Sequence, residues 1–457
     1  MNCSVSSQVK AVVVSGLAAT AALLVSGCGM GTGGTVKTVS TPILGSSFKG
    51  IVMGGQQPVG NVSIQLYAVG ATGYGSAATP LLTPGAVVTT ASGNFNIGTY
   101  SCPTPDTLVY LVGTGGQPVA APPVGGVAVT NNNLAMMVGL GACSNVGSQF
   151  IEMNELTTVA TVWALSPFMS GIAYIGSTPT NPTGIKNAFA SINTLVNTVT
   201  GAVAAPSGAT LPVAEINTLA DILAYCINTG GGGAPSGVSD TTNCGNVFSL
   251  SPNSAGTSYP ADTITAAMNI AQNPGRNVPA LNQSRDASPP YQTPLDINTP
   301  PAAWTIMVNY TGGGLSAPTA IATDSAGAVW VTNGGNNSVS KFQSNGTPIS
   351  GSSGFTAGGF SNPAALAIDQ NGNAWVANKG NSSITMLNPT GSTGTVYTGN
   401  GLNAPTSVAI DASGYVWAAN SGASSVSAFT STGGTVLGSP YTGGGISSPV
   451  ALAINPK

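Results

Sequence analysis

The sequence predicts a multidomain protein with an N-terminal β-sandwich, a central α-helical domain and C-terminal β-propeller repeats. Three observations predict this architecture. Residues 48–146 contain short apolar runs separated by Gly, Pro and Asn, and residues 147–276 carry apolar side chains at helical spacing. Residues 304–457 repeat one motif at nearly constant length. A chain of 457 residues is also longer than an ordinary single domain.

The composition predicts a neutral, polar surface. Only 5% of the residues are charged, against about 25% in a typical soluble protein. The formal net charge is −3, and the nine Lys and Arg residues are scattered along the chain. A nucleic-acid partner is therefore not expected, because no basic patch could replace the counterions of a phosphate backbone.

Residues 1–27 have the features of an export signal. A short basic start is followed by an apolar run that is too short to span a membrane and that ends in small residues. The last residues, Val25, Ser26 and Gly27 before Cys28, resemble the lipobox of bacterial lipoproteins. The resemblance implies that the Cys28 thiol receives a diacylglyceryl group and that the chain is cut before it. The alternative is an ordinary secretory signal with a chance cysteine.

The predicted location is the cell envelope, outside the cytoplasm, with the membrane as a partner through lipidated Cys28. Two or more acyl chains hold a protein far more firmly than one. The residue after the cysteine is Gly29, whereas an Asp at this position would oppose sorting to the outer membrane. We therefore expect the protein in the outer membrane of a Gram-negative bacterium. Residues 28–47, rich in Gly and Thr, are predicted to be a flexible tether.

Four further cysteines remain after such processing, and an oxidising compartment favours two disulfides among them. Three pairings exist, and we favour the two between neighbours: Cys102 with Cys143, and Cys226 with Cys244. A metal site is the competing interpretation. It is disfavoured because the chain has no C-x-x-C motif and no histidine. We expect neither a metal nor a cofactor.

The predicted sandwich, residues 48–146, begins with an apolar run at residues 50–52 and a strictly alternating run at residues 62–66. Residues 50–66, followed by residues 90–95, resemble the carboxypeptidase regulatory-like domain, a transthyretin-like sandwich. A Gly and Pro turn before an alternating strand also occurs in other Ig-like modules. The resemblance implies a spacer or binding module of an exported protein, and no catalytic residue carries over from the family.

The predicted helical domain, residues 147–276, contains all three glutamates of the protein: Glu152, Glu155 and Glu215. Two carboxylates three residues apart could act as general acid and base, as in glycoside hydrolysis. The other explanation is the helix dipole, which favours acidic side chains in a first helical turn. Residues 277–303, rich in proline, are predicted to be an interdomain linker.

The C-terminal residues repeat one motif three times, at residues 317–333, 362–378 and 404–420. Its aspartates lie 45 and 42 residues apart, the length of one four-stranded propeller blade. The Asp-x-x-Gly residues predict a tight turn in which the Asp side chain caps its own backbone. The repeated Trp is expected to pack between blades, and the repeated Asn is expected to open the next turn. Calcium binding or catalysis is the alternative role of the aspartates. The repeated residues are Asp324, Asp369, Asp411, Trp330, Trp375, Trp417, Asn333, Asn378 and Asn420.

A fourth copy of the motif begins at Ser448, so three blades and a partial fourth are predicted. Residues 304–310 could pair with residues 450–454 to make a two-stranded fourth blade. The other possibilities are an open arc, closure by another chain, or a gene product shortened relative to its relatives. Open edges would favour self-association.

The motif resembles NHL repeats, and more closely the exported bacterial propellers similar to streptogramin B lyase. For that enzyme class the resemblance implies a histidine base, which this chain lacks. Lactonase-like propellers hold a divalent metal with clustered Glu, Asn and Asp. The repeats here contain no glutamate and no aspartate outside the three turns. An enzyme is therefore disfavoured.

Two functional hypotheses follow. The preferred one is a surface-anchored binding or scaffold lipoprotein whose propeller engages a protein or glycan. The alternative is a carboxylate-dependent hydrolase or lyase-like enzyme with its site among the three glutamates.

Overall fold

A computed structural model of the chain describes residues 42–83, 85–121, 127–232 and 242–454. The predicted signal segment, Cys28 and most of the predicted tether lie outside these ranges. The described chain is mostly β, with several small antiparallel sheets and a few helices. None of the helices in these ranges combines the length and the apolar character needed to cross a membrane.

The first part of the described chain forms two larger sheets. One has the strand order β10-β3-β2-β12 with β7 beside β2, and the other has the order β11-β9-β4-β5 with β6 beside β4. A separate pair joins β1 to β8. The strands are β1 Ile43–Gly45, β2 Phe48–Gly54, β3 Gln57–Gly60, β4 Ser63–Ala68, β5 Thr79–Pro80, β6 Val87–Val88, β7 Asn94–Ile97, β8 Tyr100–Cys102, β9 Leu108–Thr114, β10 Gln117–Pro118, β11 Ala135–Ala142 and β12 Phe150–Met153.

Strand β12 lies beyond the boundary expected for the sandwich at residue 146. It runs parallel to β2, with Ile151 opposite Gly50. A parallel neighbour needs a long connection, and nearly a hundred residues separate β2 from β12 in the chain. The sandwich therefore extends into the segment predicted to be helical.

Six α-helices lie in the described ranges, three of them packed against β11 and three packed against other helices. They are α1 Glu155–Leu165, α2 Pro182–Ile192, α3 Val213–Ile227, α4 Asn243–Leu250, α5 Thr263–Gln272 and α6 Val278–Gln283. Asn154 caps α1 by accepting a hydrogen bond from the Thr157 N–H, and Asp262 caps α5 in the same way.

Threonines of the helices complete the edge of β11. The Thr158 and Thr161 hydroxyls lie 3.0 Å from the backbone nitrogens of Met137 and Gly139, which donate to them. Thr263 exchanges two hydrogen bonds with the backbone of Ala135 in the same strand. These contacts satisfy an edge that would otherwise present buried, unpaired polar groups.

The helices and the sandwich share a single hydrophobic core, which runs from Phe48 to Trp304. Strands β9 and β11 are buried on both faces, because the helices cover the face that a free sandwich would expose to water. The two parts expected to be separate domains are therefore packed as one body.

The segment predicted as a linker, residues 277–303, is instead part of this body. It contains α6, and the side chains of Arg285 and Tyr291 are buried. The Asn282 amide donates to the backbone oxygens of Asp296 and Ile297. Proline-rich chain can pack in this way because proline has no N–H to satisfy.

Short strands follow the helices in pairs. They are β13 Met169–Gly171, β14 Tyr174–Ile175, β15 Val196–Asn197, β16 Ala202–Val203, β17 Ala209–Thr210 and β18 Asn309–Tyr310. Strand β18 pairs with β17. The pairing considered for residues 304–310 with residues 450–454 is therefore not formed.

The three repeats form three antiparallel sheets of blade type. Their strands are β19 Pro318–Thr323, β20 Val329–Asn333 and β21 Ser338–Phe342; β22 Pro363–Ile368, β23 Ala374–Asn378, β24 Ser383–Leu387 and β25 Gly394–Tyr397; and β26 Pro405–Ile410, β27 Val416–Asn420 and β28 Ser425–Phe429. The second blade has four strands. In the first and third blades the outer strand is reduced to isolated bridges, such as Val339 with Phe355.

Residues 448–454 form no strand in the described structure, but they lie where the inner strand of a fourth blade would lie. The Thr406 hydroxyl donates to the Pro449 oxygen at 3.0 Å. Thr319 makes the same bond to Pro363 of the second blade, at 2.6 Å. The predicted partial fourth blade is thus one extended segment that lies against the third blade.

Candidate functional site

The repeat aspartates lie in the turns between the first two strands of each blade. In the first blade, one oxygen of Asp324 accepts from the backbone nitrogens of Ala326 and Ala328, at 3.1 and 2.9 Å. The other oxygen accepts from the Trp330 indole nitrogen at 3.0 Å. Gly327 follows in the turn at a φ of +79°, which a side chain would strain.

The other two blades repeat this arrangement. The indole nitrogen of Trp375 lies 3.0 Å from Asp369, and that of Trp417 lies 2.9 Å from Asp411. In both turns the second carboxylate oxygen accepts two backbone N–H groups. Each repeat aspartate is therefore fully engaged within its own blade.

The hydrogen bonds also favour the ionised forms of Asp324 and Asp411. Burial opposes the charge of Asp324, but the hydrogen bonds from Trp330 and Ala328 outweigh it, and Lys341 adds to them, so its pKa is lowered. The Lys341 ammonium lies 3.3 Å from Asp324 and 4.2 Å from the centre of the Trp330 ring. The pKa of Asp411 is lowered for similar reasons.

Trp375 and Trp417 each stack on a tyrosine ring of the same blade, whereas Trp330 lies at a tilt against Phe355. Trp375 lies 5.5 Å from Tyr397, and Trp417 lies 5.6 Å from Tyr441, measured between ring centres. Trp375 also packs against Val408 of the next blade. Trp417 is only half-buried, whereas Trp375 is fully buried.

The repeat asparagines point into the blades. Asn333, Asn378 and Asn420 are fully buried, and each amide donates to two hydroxyls of the following strand. Sequence analysis did not single out these hydroxyl residues, although the signal is present at five and seven positions after each Asn. The acceptors are Ser338, Ser340, Ser383, Thr385, Ser425 and Ser427.

The predicted disulfides are confirmed. Cys102 at the end of β8 is bonded to Cys143 after β11, and Cys226 of α3 is bonded to Cys244 of α4. Two disulfides indicate an oxidising compartment outside the cytoplasm.

A buried acid cluster lies where α1 and α3 meet the segment after α6. Glu155 is fully buried, and its oxygens accept from the Gly55 N–H at 2.9 Å and from the Tyr291 hydroxyl at 2.6 Å. Asp221 accepts from the Tyr291 N–H at 2.9 Å. Burial raises the pKa of Glu155 and that of Asp221 to about 7.

Sequence analysis missed Tyr291 and Asp221. The only signal for Asp221 was an acidic residue within an apolar helical pattern. Tyr291 belongs to the segment that was predicted to be a linker, so no partner was sought for it.

A cavity of about 370 Å³ lies beside this cluster, lined by residues that include Glu152, Asn154, Thr200 and Tyr291. Burial raises the pKa of Glu152, and the Asn154 amide donates to its carboxylate at 3.1 Å. Of the three glutamates, only Glu152 lines the cavity. Glu152 and Glu155 therefore do not line one shared cavity, as an acid and base pair acting on the same ligand would have to.

Glu215 lies apart, in the first turn of α3, and burial raises its pKa to about 7. Its position fits the helix-dipole explanation. Within the described residues, no three Cys, Asp or Glu side chains converge in a way that could hold a metal ion.

No protein-family model matches the chain, and neither does any curated protein. Solved structures that match parts of it include streptogramin B lyase, at 19% identity and a TM-score of 0.26 over 30% of this chain and 45% of that chain. Virginiamycin B lyase from Staphylococcus aureus matches at 22% identity and a TM-score of 0.22, over 25% and 39% of the two chains. The nidogen/laminin complex matches at 17% identity and a TM-score of 0.27, over 32% of this chain and 55% of that chain. The chain spans less than half the length of the two lyases.

Proposed function

We propose that this chain is an extracytoplasmic lipoprotein, anchored through Cys28, that uses its propeller-like repeats to bind a protein or a glycan. One observation carries the binding role: the carboxylates of all three repeat aspartates are occupied by the turns and tryptophans of their own blades. The repeats consequently offer a ligand shape, amides and hydroxyls, with no free acid for proton transfer.

Two further observations support this role. The chain has no histidine, which removes the commonest general base. The residues that repeat most strictly hold the blades together, so they explain the fold without a reaction.

The anchor is supported by the lipobox-like residues before Cys28 and by the two disulfides, which fit an exported protein. Mass spectrometry of the full-length protein isolated from membranes tests this part. We expect a mature chain that begins at Cys28 and carries acyl groups. Cys28→Ser should leave the protein uncleaved and unacylated. A mature wild-type protein without lipid would overturn the anchor.

The binding role is tested by capture of envelope glycans and proteins on the purified full-length protein in detergent. We expect at least one component to bind saturably and to be recovered chemically unchanged. Recovery of a cleaved component would contradict the binding role.

A second candidate is a carboxylate-dependent hydrolase or lyase-like enzyme that acts in the cavity beside Glu152. The favouring observation is that Glu152, with its raised pKa, and the Tyr291 ring line the same space. Glu152→Gln tests it, with Glu215→Gln as the matched control outside the cavity. Turnover of an envelope glycan that Glu152→Gln alone abolishes, with folding intact, would establish this candidate.

A further inference from the structure

A groove with both polar and apolar lining lies at the junction of the sandwich with α2. Four adjoining cavities of about 270 to 370 Å³ form it, and neighbouring cavities share lining residues. Leu108 and Lys186 both line two of the four cavities. Gln149 lines one of these two cavities and also both of the remaining ones. Four adjoining cavities give the groove room for several consecutive units of a chain.

Lysines without partners lie in this groove. In the described part of the chain, Arg276 and Arg285 donate to backbone oxygens, and Lys341 pairs with Asp324. The side chains of Lys49 and Lys186 are exposed, and neither ammonium is hydrogen-bonded or ion-paired to a described residue. In a chain with so few charges, two unpaired cations in one groove are a specific feature.

Apart from Asp106, the remaining lining is neutral and suited to a sugar. It includes side-chain amides that can exchange hydrogen bonds with hydroxyl groups. Phe150, which is 44% exposed, lies in the same cavity as Lys49 and offers a flat apolar face. Asp106 is the one acid among the lining residues and lines only one of the four cavities. The amides are Asn96, Asn145, Gln149, Asn193 and Asn197.

We propose that this groove binds an acidic polysaccharide, with carboxylates of its uronic acid units paired to Lys49 and Lys186. The inference rests on the proposed binding function and names the chemical class of the ligand. Carboxylates of a uronic acid chain can pair with the two lysines, whereas a nucleic acid calls for a basic patch that a protein of net charge −3 with scattered cations does not offer. The hydroxyls of the sugar rings would hydrogen-bond with the side-chain amides of the groove. An acidic peptide lacks these ring hydroxyls and would use fewer of the amides.

Calorimetric titration of the full-length protein with an oligogalacturonate of defined length tests the proposal. Lys49→Gln and Lys186→Gln should each weaken binding about fivefold, the effect of losing one exposed ion pair, and the double variant more. Lys379→Gln removes an exposed cation on a blade turn and is the matched control, which should bind as wild type. Raised salt should weaken wild-type binding and have less effect on the double variant.

Equal weakening by Lys379→Gln, or no weakening by the two groove variants, would overturn the groove as the site. Tighter binding of an acidic peptide such as polyglutamate than of oligogalacturonate would overturn the ligand class. If oligogalacturonate fails to bind while another envelope glycan or protein is captured, this inference fails and the proposed binding function stands. If the chain cleaves what it captures, the proposed function fails, and the lysine variants still report on the groove.

Discussion

Replacement of Glu155 by Gln should change how the stability of the protein depends on pH. Glu155 is fully buried, and burial raises its pKa from 4.5 to about 7. Since its pKa is raised in the folded state, its contribution to stability is complete below pH 4.5, where the acid is protonated in both states. That contribution is lost as the pH rises towards 7 and the buried acid must ionise.

The size of the effect follows from the shift. A difference of about 2.5 pKa units corresponds to a loss of about 3 kcal/mol in the free energy of unfolding between acidic and alkaline pH. Glu155→Gln cannot ionise, so its stability should lack this component. Gln keeps an oxygen for the Gly55 N–H, and the Tyr291 hydroxyl can accept from its amide, so we expect a cost of about 1 kcal/mol at low pH.

Urea unfolding of both proteins at several values between pH 4 and pH 8 measures the effect. The fluorescence of Trp163 and Trp304 reports on the helices, because the Trp163 indole donates to the backbone oxygen of Trp304. The variant should be less stable than wild type at pH 4 and more stable at pH 8. Glu152→Gln, at a half-buried position, is the control and should shift the profile less.

The same pH slope in wild type and Glu155→Gln would refute this reasoning. It would mean that Glu155 is ionised in the folded protein at low pH, or that the pH dependence comes from Asp221 and Glu215, whose pKa values are also raised.

Three further predictions concern stability and can be measured by urea unfolding. Replacing Cys226 and Cys244 by Ala opens a loop of sequence separation 18 and should cost about 3 kcal/mol, and an unchanged midpoint would contradict the prediction. Thr161→Val leaves a backbone N–H of β11 buried without its partner and should cost about 1 to 3 kcal/mol, with Thr161→Ser as the control that restores it. Trp375→Phe should destabilise more than Trp417→Phe, because both lose a bond to aspartate but only Trp375 is fully buried; equal losses would show that burial between blades contributes nothing.

The blade turns could be predicted from sequence because their interactions are local. Asp369 bonds to backbone groups two and four residues ahead and to Trp375 six residues ahead, all within one repeat. Three aligned copies of the motif made each position visible. The neighbouring cysteine pairs were also accessible, since few pairings of four cysteines exist.

The acid cluster could not be predicted, because its contacts join distant parts of the chain. Tyr291 bonds to Glu155 across 136 residues and to Asp221 across 70. Strand β12 is a similar case, since its partner β2 is remote and four residues are too few for periodicity to separate strand from helix. A proline-rich composition indicated a linker at residues 277–303, but composition does not show which of its side chains are buried.

The most direct test of the proposed function is the chemical state of a captured ligand. Envelope glycans and proteins that bind the full-length wild type would be recovered, and their masses compared with those recovered from the triple variant Glu152→Gln, Glu155→Gln and Glu215→Gln. We predict equal binding and unchanged ligand masses for both proteins. A ligand that the wild type cleaves and the folded triple variant leaves intact would contradict the account.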